Sequence, residues 1–339
     1  MSAGGGQAVT PERILQMMWG YAPPLILAAA VEHRIFDSLE SGPKSAEEIA
    51  AATGTSLRGV RPILNALAGL QFLSKPGRDR YALAPESAVF LLRGKPGYLG
   101  EMLQHQQALI SDWLDLPEVV KTGRPAGDGT TGESGAAFFE ELVSALFPMN
   151  FPAAQALGKA LNVGIAPFRV LDVAAGSGVW GIGVAQQSPA VTVTAVDWPN
   201  VLEVTRRFAQ QFGLAGRFSY TPGNMNEVAF GQSFDLVILG HILHSGGERD
   251  NRKLLEKSFQ ALVPGGRIAI PEFLVNEEGT GPMMPLFFAI NMLVHTDAGD
   301  AYSFEQIAKW LRETGFADSS RIEPGGPSSI VVATKPAAR

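Results

Sequence analysis

Val170-Leu-Asp-Val-Ala-Ala-Gly-Ser-Gly-Val-Trp-Gly181 is the stretch on which the reading of this chain turns. It opens as a short apolar run interrupted only by Asp172 and closes in three glycines, Gly176, Gly178 and Gly181. That order predicts a buried parallel strand, a tight turn and a helix. Gly176 and Gly178 can take backbone angles closed to other residues, and they let a ligand approach the main chain. The helix that follows would offer its free N–H groups to the same ligand.

The glycines spell G-x-G-x-x-G, a pattern that two cofactors share. A nicotinamide site usually follows an uninterrupted apolar strand. Here Asp172 stands inside the strand, four residues before Gly176. A buried carboxylate is costly unless paired. The ammonium at the methionine end of S-adenosylmethionine (SAM) would pair with it, which favours SAM over NAD. The next strand, Val191-Thr-Val-Thr-Ala-Val-Asp197, ends on a carboxylate that could hold ribose hydroxyls in either case.

From Arg169 onward, strand-like runs at 170–174, 191–197, 218–221, 234–240 and 267–272 alternate with helical patterns, and 328–334 reads as a last strand. Such alternation predicts an α/β domain with a doubly wound, mostly parallel sheet. Ligands bind such sheets at the carboxyl ends of the strands. Gly176, Asp197, the pair Asn224 and Met225, the pair His241 and His244, and Glu272 all fall there.

Before this domain the pattern is mainly helical. Ile14, Met17, Met18 and Tyr21 recur at helical spacing, Ser45 can cap a short helix, and Thr55 or Ser56 can cap another. Residues 72–75 and 80–83 flank Pro76-Gly77 as a small hairpin, which completes a winged helix. Arg58, Arg61, Lys75, Arg78 and Arg80 make too sparse a basic face for specific DNA contact, so packing or dimerisation is the expected use. Residues 96–120 resume as helix, 122–135 form a glycine-rich loop suited to a hinge, and a helical pattern runs from Ala136 to Leu161.

Composition sets the outer limits. A chain of 339 residues with 46% hydrophobic content has room for two domains and a large core. A net charge of -6 suggests neither nucleic acid nor an anionic membrane as partner. With no cysteine, disulfides and thiolate zinc sites are ruled out. No apolar run approaches the ~18 residues of a membrane span, and Met1 to Gln7 lacks the form of a secretory signal, so a cytoplasmic protein is expected.

On these residues the sequence resembles the SAM-dependent O-methyltransferases of the plant caffeate and bacterial polyketide type. The marks are 170–178, Val196-Asp-Trp-Pro-Asn-Val-Leu, Pro222-Gly-Asn-Met, Phe234 through His244, Leu262-Val-Pro-Gly-Gly-Arg, Leu293-Val-His-Thr and Tyr302-Ser-Phe-Glu. The resemblance implies a winged-helix dimerisation domain over 1–100, a helical connector contributing to the substrate pocket over 101–150, and a SAM-binding methyltransferase domain over 151–339. It implies a homodimer acting on a small aromatic hydroxyl. Its cofactor contacts fall on Gly176, Gly178, Asp197, Asn224 and Met225, beside Asp172. Its catalytic histidine falls on His244 and the orienting carboxylate on Glu272. Its substrate contacts fall on Met149, His241, Met292 and Thr296. Phe287, in the apolar segment 283–293, is a further candidate for lining the pocket.

The departures are specific. Ala174 stands at the usual first glycine, Asn224 at an aspartate, Ser245-Gly246 at an Asp-Trp pair, Gly240 at a lysine, and Ala301 at a second carboxylate that Asp300 could replace. Methyl transfer from a sulfonium needs an in-line approach and removal of the acceptor proton, for which a histidine held by a carboxylate is suited. His241 and His244 have no evident third partner as metal ligands, so no metal is expected. Other readings of the same site are C- or N-methylation, or a SAM-sensing regulator without catalysis.

Overall fold

The computed structural model describes residues 9–126 and 136–337. The chain divides into two compact units, meeting between Leu109 and Ile110. The expected hinge loop falls largely on 127–135, outside the described residues.

The first unit opens with α1 (Glu12–Met18), α2 (Ala22–Glu32), α3 (Ile35–Ser38), α4 (Ala46–Thr53) and α5 (Leu57–Gly69). Ser45 Oγ accepts the Glu48 N–H while the Glu48 carboxylate accepts the Ser45 N–H, a reciprocal cap on α4. Ser56, not Thr55, caps α5 through the Gly59 N–H. The hairpin is β1 (Leu73–Gly77) with β2 (Arg80–Leu83). Its turn is Arg78-Asp79, two residues later than the composition suggests, and Pro76 and Gly77 belong to the strand. Arg61 pairs with Glu47 and Arg80 with Glu48, so two of the expected basic residues are already neutralised. α6 (Pro85–Phe90) follows, and α7 (Gly100–Trp113) carries the boundary between units.

Ile14, Met17, Met18, Trp19 and Tyr21 are more than half exposed. Residues 12–32 also overturn the expectation that no apolar run matches a membrane span. A window there reaches a mean hydropathy of 1.5, enough by length and composition alone. The chain turns at Trp19–Tyr21, however, and divides the stretch between α1 and α2.

The second unit contains α8 (Leu116–Thr122), α9 (Ala136–Leu161), β3 (Phe168–Val173), α10 (Val179–Ala185), β4 (Val191–Asp197), α11 (Pro199–Gln211), β5 (Phe218–Pro222), β6 (Phe234–Leu239), α12 (Glu248–Ala261), β7 (Leu262–Glu272), α13 (Met283–His295), α14 (Phe304–Thr314), β8 (Ala317–Ile322) and β9 (Ser329–Thr334). Seven strands form one sheet in the order β5-β4-β3-β6-β7-β9-β8. The first five run parallel, β9 runs antiparallel to β7, and β8 pairs antiparallel with β9 and so follows the direction of the first five. β8 is absent from the sequence-based expectation because Ala-Asp-Ser-Ser-Arg-Ile is polar and half exposed, the pattern of an edge strand.

Val170, Leu171, Val173 and Leu236 to Leu239 are fully buried at the sheet centre. Winding proceeds outward from β3 through β4 to β5, then restarts at β6 toward β7. The crevice between β3 and β6 is therefore the topological switch point, where open α/β sheets bind ligands. The glycine turn leaves β3 there, and the two histidines leave β6 there.

Candidate active site

The turn after β3 has three successive left-handed positions at alternate residues: Ala174 (φ 53°), Gly176 (φ 57°) and Gly178 (φ 74°). Ala174 holds the first of these with a Cβ, a conformation that glycine would adopt without strain. Gly181 supplies the close approach of helix to strand: a Cβ there would lie 2.8 Å from Val193 and 2.9 Å from the Asp172 carboxylate.

Asp172 has no accessible surface. Its Oδ2 accepts the Gly181 N–H at 2.9 Å, closing one of the free donors at the start of α10, and its Oδ1 has no hydrogen-bond partner. Burial, reinforced by the nearby Asp197 charge and opposed by the Gly181 bond, pushes its carboxyl up to about 8. The direct ammonium partner expected from the sequence is thus not what this geometry offers. A sealed carboxylate holds the turn from behind.

Asp197 is better placed for a ligand. Its carboxylate is partly exposed at the end of β4, with Oδ2 on the Gly176 N–H (2.8 Å) and Oδ1 on the Trp198 N–H (2.7 Å). Burial raises it to about 6 against those two bonds. Each oxygen keeps a lone pair for a hydroxyl donor. Asn224 and Met225 are half buried in the turn after β5, where Asn224 Oδ1 accepts the Asn226 N–H and Lys257 donates to the Met225 carbonyl. Gly176, Asp197 and Asn224 therefore stand on the carboxyl ends of β3, β4 and β5, three neighbouring strands. A glycine cradle, a carboxylate with free lone pairs and an amide with an apolar neighbour have the chemistry to fit the nucleoside of SAM.

His244 lies in a 3-10 turn, Leu243–Ser245, and Glu272 ends β7. His244 Nδ1 is 2.8 Å from Glu272 Oε1. Glu272 has no accessible surface and also accepts the His244 backbone N–H (3.3 Å) and the Phe273 N–H (3.0 Å). Burial alone would raise its carboxyl. The charge available on His244, the hydrogen bond from its ring and the nearby His241 imidazole outweigh burial and hold it well below the usual carboxylate range. The loop under His244 is tied down at three points. Asn251 Nδ2 donates to the Leu243 and Gly246 carbonyls, Tyr302 Oη donates to the Gly246 carbonyl, and the Asp300 N–H donates to the His244 carbonyl.

His241 lies outside the 3-10 turn that carries His244. It sits at φ 53° at the end of β6, with Nδ1 3.4 Å from Glu272 Oε1 and Nε2 3.0 Å from Ser328 Oγ. Glu272 thus provides the third partner that the sequence did not reveal, and potential metal-ligand atoms of His241, His244 and Glu272 lie within 4.8 Å of one another. The 2.8 Å contact between His244 and Glu272 is hydrogen-bond length.

The remaining candidates scatter. Met292 is buried near the His244 loop, since a Cβ on Gly299 would touch the Met292 side chain and the His244 carbonyl alike. Met149 is half buried on α9. Thr296 Oγ1 donates to the Met292 carbonyl and accepts the Gly299 N–H, so it closes α13 and has no donor left for a substrate. Phe287 is 58% exposed; its neighbour Phe288 meets the His244 ring edge-on at 4.7 Å. Asp300 is exposed and accepts the Ala301 N–H, so it does not replace the second carboxylate at His244. At Gly240 a Cβ would lie 2.3 Å from the Trp180 indole, which fills the space beside the missing lysine. Phe288, Asn251, Tyr302, Trp180 and Ser328 escaped the sequence reading because only the fold brings them to the histidines.

Residues 154–317 match the O-methyltransferase domain family, and residues 15–93 match the O-methyltransferase dimerisation domain. A crystal structure from Nostoc punctiforme, assigned as an O-methyltransferase, is 30% identical with a TM-score of 0.90, covering 97% of this chain and 100% of that one. The chain belongs to the SAM-dependent O-methyltransferases. This O-methyltransferase is also 29% identical to the 3-hydroxy-5-methyl-1-naphthoate 3-O-methyltransferase of Streptomyces sahachiroi, over 99% of its own length and 100% of the relative's. Human N-acetylserotonin methyltransferase, solved in complex with SAM, shares the fold at a TM-score of 0.85 and 23% identity, covering 98% of this chain and 100% of that one. The O-methyltransferase is thus an enzyme, with SAM as its cofactor and a family dimerisation domain at its N-terminal side.

Proposed function

We propose that this enzyme methylates a hydroxyl of a small aromatic acceptor, phenolic or polyketide-like, with His244 as general base and Glu272 as its orienting partner. The observation that carries the reading is the 2.8 Å contact between His244 Nδ1 and a carboxylate with no accessible surface. Bound SAM supplies an electrophilic methyl group on a sulfonium. Glu272 fixes the proton of His244 on Nδ1, which leaves Nε2 as the basic nitrogen. Nε2 takes the hydroxyl proton of the acceptor, and Glu272 stabilises the imidazolium that results. Phe288, edge-on to His244, and Met292 supply an apolar wall for a flat ring. Gly176, Gly178, Asp197, Asn224 and Met225 hold the cofactor in this reading, while Asp172 braces the turn behind it.

The acceptor class draws support from the naphthoate hydroxyl named in the Streptomyces sahachiroi relative. Assay with a panel of phenols and hydroxynaphthoates, scoring the methylated atom by mass and NMR, tests it. O-methylated product on at least one aromatic acceptor is expected; methylation only at nitrogen or carbon would overturn it. The domain division at 100 and 150 belongs to this reading; the two compact units divide inside its connector. So do action in the cytoplasm without nucleic acid or membrane, and a homodimer that covers Ile14, Met17, Met18 and Trp19. Light scattering at micromolar concentration should give twice the mass of 36.0 kDa.

A further inference from the structure

His241 occupies a position that costs strain. Its φ of 53° lies in the left-handed region, worth about 1–3 kcal/mol for a residue with a side chain. Its backbone N–H donates to the Pro271 carbonyl at 2.9 Å, which ties this strained residue to the strand that carries Glu272. Its ring packs against Phe273, with centroids 4.4 Å apart, and tilts against Trp180 at 5.9 Å. Trp180 can sit there because residue 240 is a glycine. The ring is therefore held in one orientation, and that orientation aims each nitrogen at a specific group.

Nε2 meets Ser328 Oγ at 3.0 Å, and Ser328 is 3% exposed at the start of β9. A buried hydroxyl that donates to Nε2 leaves the proton of a neutral imidazole on Nδ1. Nδ1 is buried, lies 3.4 Å from Glu272 Oε1 and has no aligned hydrogen bond in this geometry. The same oxygen is 2.8 Å from His244 Nδ1. Two N–H groups thus address one oxygen, one at full hydrogen-bond length and one about half an ångström too far.

We propose that His241 is a positioning residue, set by Ser328, that shares the Glu272 carboxylate with His244 and so moderates how tightly His244 holds the proton it accepts. This rests on His244 being the base. The sign is the same in both states of His241. As a neutral donor it draws negative charge from Oε1, and as a cation it opposes a second positive charge on His244. Either way the carboxylate grips a protonated His244 less firmly, and more of His244 stays neutral and able to act as a base. The other titratable groups around His244 do not reverse this. Tyr302 is pushed up to about 12 by burial and the neighbouring Asp300, Glu272 and Glu248 charges, so it stays neutral. Asp300 and Glu248 are exposed, and the α13 residue in ring contact with His244 is Phe288.

The test is the pH dependence of kcat/KM in full-length enzyme with SAM saturating. His241→Phe keeps an aromatic ring and removes both nitrogens. Its acid-side inflection should move to higher pH by about 0.5–1 unit, with KM for the acceptor within twofold of wild type. Ser328→Ala, which leaves the strained residue untouched, should move it the same way by less. His241→Asn, which tolerates positive φ and returns an N–H near the Nδ1 position, should bring the inflection back toward wild type. An inflection unmoved or lowered in both His241→Phe and Ser328→Ala overturns the inference, and an unmoved inflection with KM raised several-fold makes His241 a substrate contact instead. His244→Ala separates the two layers. If it abolishes the inflection while His241→Phe leaves it in place, only the role of His241 fails; if the inflection survives His244→Ala, the base assignment fails.

Discussion

Two carboxylates of this enzyme, Asp172 beneath the cofactor turn and Glu272 beneath the histidines, are sealed from solvent to the same degree and end in opposite states. Asp172 receives one N–H, from Gly181, faces another acid in Asp197, and is pushed up to about 8. Glu272 receives two backbone N–H groups and the His244 ring, lies beside a second imidazole, and is held below the usual range. Burial alone therefore does not decide whether a carboxylate is charged; the number and charge of its donors do. The neutral one can brace a turn. The charged one can stabilise a cation formed next to it, which is what general base catalysis by His244 requires.

The contrast can be broken at either end. Glu272→Ala should have the largest effect on stability, about 3–5 kcal/mol, because it leaves the His244 ring and two backbone N–H groups without their acceptor and removes the charge beside His241. Chemical denaturation at pH 7 measures it, and a loss under ~1 kcal/mol would mean the carboxylate is not carrying charge.

At the other end the prediction concerns pH. The folded state keeps a proton on Asp172 that the unfolded chain loses above its ordinary value of 3.8. Stability of the cofactor-free protein should therefore fall as pH rises from about 4 to about 8 and level off above, with Asp172 contributing roughly 1.4 kcal/mol per pH unit inside that window. Asp172→Asn keeps an acceptor for Gly181 and should remove this part of the slope; an unchanged slope would show that Asp172 is ionised when folded. Glu272 acts in a different window. Its contribution is complete above the ordinary 4.5 and is lost only as pH falls through its lower folded value.

A smaller effect belongs to Asp197. Asp197→Ala should weaken SAM binding by about 1.5–3 kcal/mol, the scale of hydrogen bonds to a charged group. Wild-type affinity should also decline below about pH 6 as the carboxylate takes up a proton. Equal calorimetric affinity of variant and wild type would remove Asp197 from the site.

Local signals carried the fold far. The apolar run and glycines of 170–181 became β3, the turn and α10, because strand burial and left-handed angles leave a direct mark on residue type. Residues at strand ends were legible for the same reason. What stayed hidden is long-range or nearly neutral in pattern. β8 is too polar to read as a strand, and the choice between Phe287 and Phe288 depends on how α13 is rotated. The link from Ser328 to His241 joins residues 87 positions apart, with no periodicity to reveal it. Asp172 was visible as a buried carboxylate, but its partner is a backbone N–H, which no side-chain pattern can announce.

The charged end of the comparison is tested most directly by single-turnover kinetics of His244→Ala with SAM and an aromatic acceptor, alongside calorimetric SAM binding. Unchanged SAM affinity, a rate lower by about 10²–10⁴-fold and loss of the histidine-like inflection in the pH profile are expected. A rate near that of the wild type would contradict the base assignment, and would mean that an acceptor acidic enough to ionise unaided needs only to be positioned.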